Sequence, residues 1–335
     1  MVATGAKLRA LRSLRYDPPG YAKKGARRTT FQTSLEQGEQ FLQAAKVAGY
    51  STRPVQLFYA LSQAGRAITA ASPRVGNQEW KVGGHGLSVQ PADRASEVTV
   101  TASGSGLFAT VASALGVEPF TPREQIALHE LWPILPETAF NPLTSDFMFP
   151  ALLFFQQGWP EEERFSSARV SWIPPAVKGL CGDDPGRVVE YLARYPALRG
   201  SSPTLSRPMR HVPWSSAGPG LTLNVEWRGE PPQLPALDTK TLREIGIVSY
   251  RSADDLLATP TVGSMSTGLH PFLALWATLL ALSSLARYEP AKWSTVLDVD
   301  RSPEASSIEH LLDESVESIP AAVLNILTSI QQRTQ

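Results

Sequence analysis

Residues 272–287 read FLALWATLLALSSLAR, and residues 54–71 read PVQLFYALSQAGRAITAA. The first carries no charge before its last residue, and the second has only Gln56, Gln63 and Arg66 as a polar edge. A helix that is apolar on most sides must be enclosed by others, so both segments predict the inside of a helical bundle. A membrane span is the competing reading for 272–287, and it fails on length and flanks. A span needs about 20 predominantly apolar residues, whereas His270-Pro271 precedes this run and Thr278, Ser283 and Ser284 interrupt it.

Working outward, SLEQGEQFLQAAKVAGY (34–50) supplies a further helix, with Ser34 as N-cap, Gln37 at the capping-box position, Leu35, Phe41, Leu42 and Ala45 as the apolar stripe, and Gly49 as the stop. Pro54 at the first helical position opens the next helix. At the other end, residues 303–313 and 315–331 are expected as two helices, with Ile308, Leu311, Leu312, Val316, Ile319, Val323, Leu324 and Leu327 at helical spacing. Between the ends the pattern turns to strands: GHGLSV, SEVTVTA and GLFATVASAL predict a hairpin or small sheet, followed by SARVSWI (167–173), LTLNVEW (221–227) and IGIVSYR (245–251). Short helices are expected at 121–132, 184–195 and 239–244. Seven prolines between Gly200 and Pro235 predict long irregular connections rather than a doubly wound sheet.

The fold class expected is therefore α+β, a discontinuous helical bundle made from both chain ends with a strand-rich, Pro-rich region inserted. The divisions read from the sequence are a basic N-terminal arm (1–30), a first helical-core segment (31–75), the inserted α+β region (76–262) and a second helical-core segment (263–335).

The 335 residues carry 31 Lys and Arg against 31 Asp and Glu, so no global charge marks a polyanion binder. The average hides an asymmetry. Residues 1–28 contain Lys7, Arg9, Arg12, Arg15, Lys23, Lys24, Arg27 and Arg28 against Asp17 alone, a local net charge of +7 that the rest of the chain cancels. Such an arm can neutralise phosphates, or it can lie solvated over the acidic body. Lys7, Arg9, Arg12 and Arg15 break up any signal-like apolar run, and the single cysteine, Cys181, excludes an internal disulfide, so a cytoplasmic protein is expected.

Three stretches resemble the YaaC-like protein family of bacteria. They are SLEQGEQFLQAAKVAGYSTRPVQLFYALSQAGRAI, with Arg53-Pro54 and Tyr59; GHGLS followed by SEVTVTASGSGLF, with its His-Gly turn and Gly106-Leu107-Phe108; and LSSLARYEPAKWSTVL, with Arg287, Tyr288, Glu289 and Trp293. Order and spacing agree from Phe31 to Leu327. The resemblance implies an uncharacterised helical family whose termini loosely resemble HEPN bundles, many of which act on RNA in bacterial conflict systems. Relatives carry a basic run after the His-Gly turn, where this chain has SVQPADRASE.

Candidate chemistry is sparse. Arg123 and His129, in REQIALH, weakly imitate an Arg/His ribonuclease pair, and a surface arginine in a first turn with a helix-facing histidine explains them well. His85 lies between Gly84 and Gly86, which let a tight turn present the imidazole. Arg287 can cap its helix or pair with Glu289 or an acidic group of the inserted region, and its functional alternative is an anion site shared with Arg53 or Arg66 across the bundle. Tyr288 and Trp293 are expected to anchor packing, and Cys181 to be a small buried residue. No phosphate loop, nucleophile elbow, dinucleotide fingerprint or metal-ligand spacing is complete, so no cofactor or metal is expected. The reading that follows is a non-catalytic module binding nucleic acid through Lys7, Arg9, Arg12, Arg15, Lys23, Lys24, Arg27, Arg28, Arg53 and Arg66, or binding a protein partner or a second copy, in a defence or stress assembly. The alternatives are a metal-independent HEPN-like ribonuclease using the histidines above and a structural subunit of a larger complex.

Overall fold

The computed structural model describes residues 2–76, 78–145, 149–157, 167–181, 184–203, 210–211, 220–227 and 246–334. In chain order its first elements are α1 (Val2–Tyr16), α2 (Gly25–Val47), α3 (Arg53–Ala71), β1 (Leu87–Gln90), β2 (Thr99–Ala102), α4 (Leu107–Leu115), β3 (Gln125–Ala127) and α5 (Leu128–Leu131). There follow β4 (Leu152–Gln157), β5 (Ser167–Ile173), α6 (Pro175–Cys181), α7 (Pro185–Leu192), β6 (Ser201–Pro203), β7 (Arg210–His211), β8 (Leu221–Trp227), β9 (Ile247–Ser249), β10 (Leu256–Ala258), α8 (Pro271–Tyr288), α9 (Pro290–Val296) and α10 (Ala305–Arg333). The fold is α+β, and the chain divides into two units: Met1–Trp132 with Phe272–Gln335, and Pro133–Pro271.

In the first unit the bundle joins both chain ends. α8 is the one described helix with the length and composition of a membrane span, and it is a core helix, buried from Phe272 to Ser283. Its Trp276 indole lies where a Cβ on Gly65 of α3 would be, so the absence of a side chain at Gly65 lets the ring seat against the helix backbone. The other largely enclosed segment is α3, with Leu57, Phe58, Leu61, Ala67 and Ile68 at or near zero exposure. Burial of each such leucine contributes about 1.5–3 kcal/mol.

Several boundaries differ from the sequence reading. α2 begins at Gly25, before Ser34, which is buried inside it. The Thr/Ser-rich stretch imitates a cap, but the buried Phe31 and Arg27 carry the apolar face back past it. GLFATVASAL is α4, not a strand, because Leu107, Phe108, Val111, Ala112 and Leu115 put one face of a helix into the core. The hairpin is β1 with β2, in register Val89 to Val100, and β3 joins β2 with Val100 opposite Ile126. Residues 303–331 form no helix pair. α10 is continuous through Pro320, since the stripe from Ile308 to Leu327 stays in phase across Asp313-Glu314. Residues 76–132, read as belonging to the insertion, lie in the bundle unit. Residues 2–16 do not simply lie solvated, for they form α1, which buries Leu8 and Leu11.

The second unit is an antiparallel sheet in the order β6-β8-β5-β4-β10-β9, with β7 also on β8. Alternation in LTLNVEW turns Leu221, Leu223, Val225 and Trp227 inward, against Val188, Tyr191 and Leu192 of α7. Residues 239–244 and most of the Pro-rich stretch, including Pro208, Pro213, Pro219, Pro231, Pro232 and Pro235, lie outside the described residues.

Candidate anion-binding site

Gly84 and Gly86 both have positive φ, and the backbone of their turn crosses that of Gly104-Ser105-Gly106. The crossing is closed by hydrogen bonds from the Ser103, Leu107 and Phe108 amides to the Gly86, Gly84 and His85 carbonyls. His85 is thus held at a fixed point where the hairpin meets α4. Its ring packs edge-on to Phe58 of α3, with centroids 4.9 Å apart.

Two guanidinium groups lie near enough to this imidazole to act on its charge. Arg66, from α3, donates to the Val82 carbonyl at 3.1 Å. Arg287, from the last turn of α8, donates to the Ser283 carbonyl at 3.2 Å and to the Tyr59 hydroxyl at 3.4 Å. Among the described residues neither guanidinium meets a carboxylate, so two positive charges remain uncompensated beside His85. Burial first, and then Arg287 and Arg66, hold the histidine below its usual pKa. Its Nδ1 is buried and has no hydrogen-bond partner among the described residues. A neutral imidazole near two unpaired cations is an arrangement suited to an anion, which relieves the repulsion that keeps the proton off.

The other residues singled out from the sequence sit elsewhere in the first unit. Arg123 and His129 share no helix, because Gln125–Ala127 pairs with β2. Arg123 takes a positive φ ahead of that strand, and His129 Nδ1 meets the Ser96 carbonyl at 3.0 Å. Arg53 pairs with Asp313 and donates to the Ala48 carbonyl. In the basic arm, Arg12 pairs with Glu39 and Arg15 with Glu36, while Arg28 donates to the Lys23 and Tyr16 carbonyls. Arg27 is only 9% exposed. It donates to the carbonyls of Thr69, Ala70, Ser72, Val75 and Gly76 and lies between the rings of Tyr21 and Trp80, so it is a structural clamp. Lys7, Arg9, Lys23 and Lys24 have no acidic partner among the described residues. Trp293 is buried with its Nε1 donating to the Ser51 carbonyl, whereas Tyr288 is 70% exposed and anchors no core.

Two carboxylates have roles that the sequence does not announce. Glu304, 2% exposed, accepts from the Ala95 and Ser96 amides and the Ser96 hydroxyl, and pairs with Arg94. In the second unit Glu137 is 5% exposed, and the Tyr250 hydroxyl is pushed well up by its own burial and by Glu137. Glu137 follows Pro136, and Glu304 follows Pro303 at the start of the helix expected over 303–313, so only their burial marks them. No group of metal-ligating residues occurs among the described residues, and burial pushes the Cys181 thiol up, away from a reactive thiolate. A groove of about 390 Å³, open solvent included, lies between α1, α2, α3 and α10. Its walls are Leu8, Leu11, Leu35, Leu42, Ile319 and Val323, with Gly38, Ala60, Ala64 and Pro320 leaving the space; it contains none of the His85 chemistry.

Compared with known proteins, the chain matches the family model described as YaaC-like Protein over residues 10–327, nearly its whole length. No curated protein and no solved structure matches it.

Proposed function

The chain belongs to the YaaC-like family, and we propose that it is a non-catalytic module that binds nucleic acid through phosphates held at His85, Arg66 and Arg287. The observation that carries this reading is the pair of guanidinium groups, without carboxylate partners among the described residues, close enough to a half-buried histidine to lower its pKa. Structural arginines elsewhere in the same unit are satisfied: Arg27 by five carbonyls, Arg53 by Asp313, Arg12 and Arg15 by glutamates. Lys7, Arg9, Lys23 and Lys24 add sequence-independent attraction at longer range. A place in a defence or stress assembly is compatible with such a module.

The test is the salt dependence of binding to a labelled oligothymidylate. Replacing one phosphate-contacting cation lowers the slope of log affinity against log salt by about 0.7 for a single strand. Arg66→Gln and Arg287→Gln are each expected to do so. Undetectable binding at low salt, or slopes unmoved by either variant, removes the proposal.

Metal-independent cleavage of RNA is the second reading, favoured by the same lowered histidine. A neutral imidazole beside two guanidinium groups can take the proton of a 2′-hydroxyl as its oxygen attacks the adjacent phosphorus, the 5′-oxygen leaving with a proton returned to it. His129 is bound to Ser96, so His85 alone would serve both transfers, and binding is the stronger reading. RNA left intact in chelator by wild-type protein rejects cleavage.

A further inference from the structure

Arg287 lies in a stack of rings as well as beside His85. Phe41 of α2 stacks on Tyr59 of α3 with centroids 5.5 Å apart and planes 24° from parallel. The Arg287 guanidinium follows at 5.9 Å from the Tyr59 centroid and 4.9 Å from that of Tyr288. The stack therefore runs from the half-buried Phe41 outward and ends on a tyrosine that is 70% exposed. An exposed tyrosine at the end of an apolar core helix gains nothing from burial. What it has is a cation beside its ring and solvent around the rest of it. Tyr59, the inner ring, also holds Arg287 by accepting a hydrogen bond at its hydroxyl.

We infer that the site takes single-stranded nucleic acid, with one base stacking on Tyr288 while an adjoining phosphate is held by Arg287 and Arg66. The inference rests on the phosphate-binding reading above and adds the form of the ligand. Aromatic stacking of this kind accepts any base, since every base has a π face, and a duplex keeps its bases in their own stack where Tyr288 cannot reach them. A protein surface could also cover an exposed tyrosine, but the unpaired Arg287 beside it favours a ligand that brings phosphate and a flat ring together.

The experiment uses the full chain and three labelled probes of equal length: oligothymidylate, the same deoxyribose-phosphate strand without bases, and a duplex. Stacking of one base is expected to make the base-bearing strand bind about ten-fold tighter than the abasic one. Tyr288→Ala is expected to erase that difference, and Tyr288→Phe to keep it; neither touches the core, because the side chain is exposed. If both strands bind wild type equally, and Tyr288→Ala changes neither while Arg287→Gln weakens both, the stacking inference is wrong and the phosphate reading stands. Tighter binding of the duplex than of the single strand also overturns it. If no probe binds, the phosphate reading fails, and the inference with it.

Discussion

Gly86 and Gly106 cross backbone against backbone: a Cβ on Gly106 would lie 2.6 Å from the Gly86 Cα, and one on Gly86 would lie 2.1 Å from the Ser105 carbonyl oxygen. Both residues also have positive φ, at 79° and 86°. Two independent costs therefore meet at one point, strain in the left-handed region and a clash with main chain that has no flexible end to move aside. Gly86→Ala and Gly106→Ala are each expected to lower stability by roughly 2–4 kcal/mol, measured by urea unfolding. Gly84 provides the control. It shares the positive φ, but a Cβ there meets nothing within 4 Å, so Gly84→Ala is expected to cost about 1–2 kcal/mol. Equal losses at all three positions would mean that the crossing is not what holds His85.

His85 predicts the response to pH. Its folded pKa lies below the ordinary value of 6.5 because of burial, Arg287 and Arg66, so the unfolded chain takes up the proton first as pH falls. The stability contributed by the neutral imidazole is fully present above about 6.5 and is lost progressively below it. An anion between the arginines reverses the balance, favouring the proton in the complex. Oligothymidylate, whose phosphodiesters do not titrate here, is therefore expected to bind more tightly as pH drops from about 7.5 to about 5.5 at constant salt. His85→Gln is expected to flatten both the urea midpoint and the affinity over that range. An affinity indifferent to pH in wild type would place the ligand away from His85.

The bundle was legible in the sequence because enclosed helices leave a strong record: no charge from Phe272 to Ala286, and apolar residues on most sides of 54–71. What the sequence misassigned was local. Gly106-Leu107-Phe108 followed two strand-like runs and read as a third, since a nine-residue helix buried on one face differs little from a strand in a short apolar window. Arg123 and His129 looked like a helical pair because nothing local reveals that Gln125–Ala127 will be drawn into a ladder with β2. Of the candidate site, His85 was marked by its flanking glycines, and Arg66 and Arg287 by being the rare charges on apolar helices. Their convergence depends on a contact between residues 228 positions apart, Arg287 to Tyr59, and no spacing in the chain encodes that. Tyr288 was read as a packing anchor by residue type alone.

Arg27 is one of eight positive charges within residues 1–28, yet its guanidinium closes the carbonyls at the end of α3 and of the segment after it. Lysine keeps the charge but cannot reach five acceptors with three donors, and methionine leaves every one of those carbonyls without its donor. Arg27→Met is expected to cost about 3 kcal/mol or more, and Arg27→Lys a large share of that, with salt having little influence because the acceptors are neutral. Thermal unfolding at two ionic strengths distinguishes this from a surface charge. Loss of less than about 0.5 kcal/mol, the range of ordinary surface substitutions, would mean that the clamp contributes little.

Two helical glycines separate propensity from packing. Replacing glycine by alanine inside a helix normally gains about 1 kcal/mol. At Gly65 the new Cβ would sit 2.4 Å from two atoms of the Trp276 ring and 3.0 Å from a Val111 methyl. Trp276 is fully buried and cannot swing away, so overpacking of about 1–3 kcal/mol opposes the gain. At Gly38 the nearest atom is the Ala60 carbonyl oxygen at 3.3 Å, a contact that a few tenths of an ångström relieves. Gly65→Ala is therefore expected to destabilise the protein, and Gly38→Ala to leave its stability within about 0.5 kcal/mol of wild type. Pairing Gly65→Ala with Trp276→Phe, which shortens the opposing ring, should recover some of the loss, a coupling that a double-mutant cycle reads directly. Additivity between those two substitutions would show that α3 and α8 do not meet at this contact.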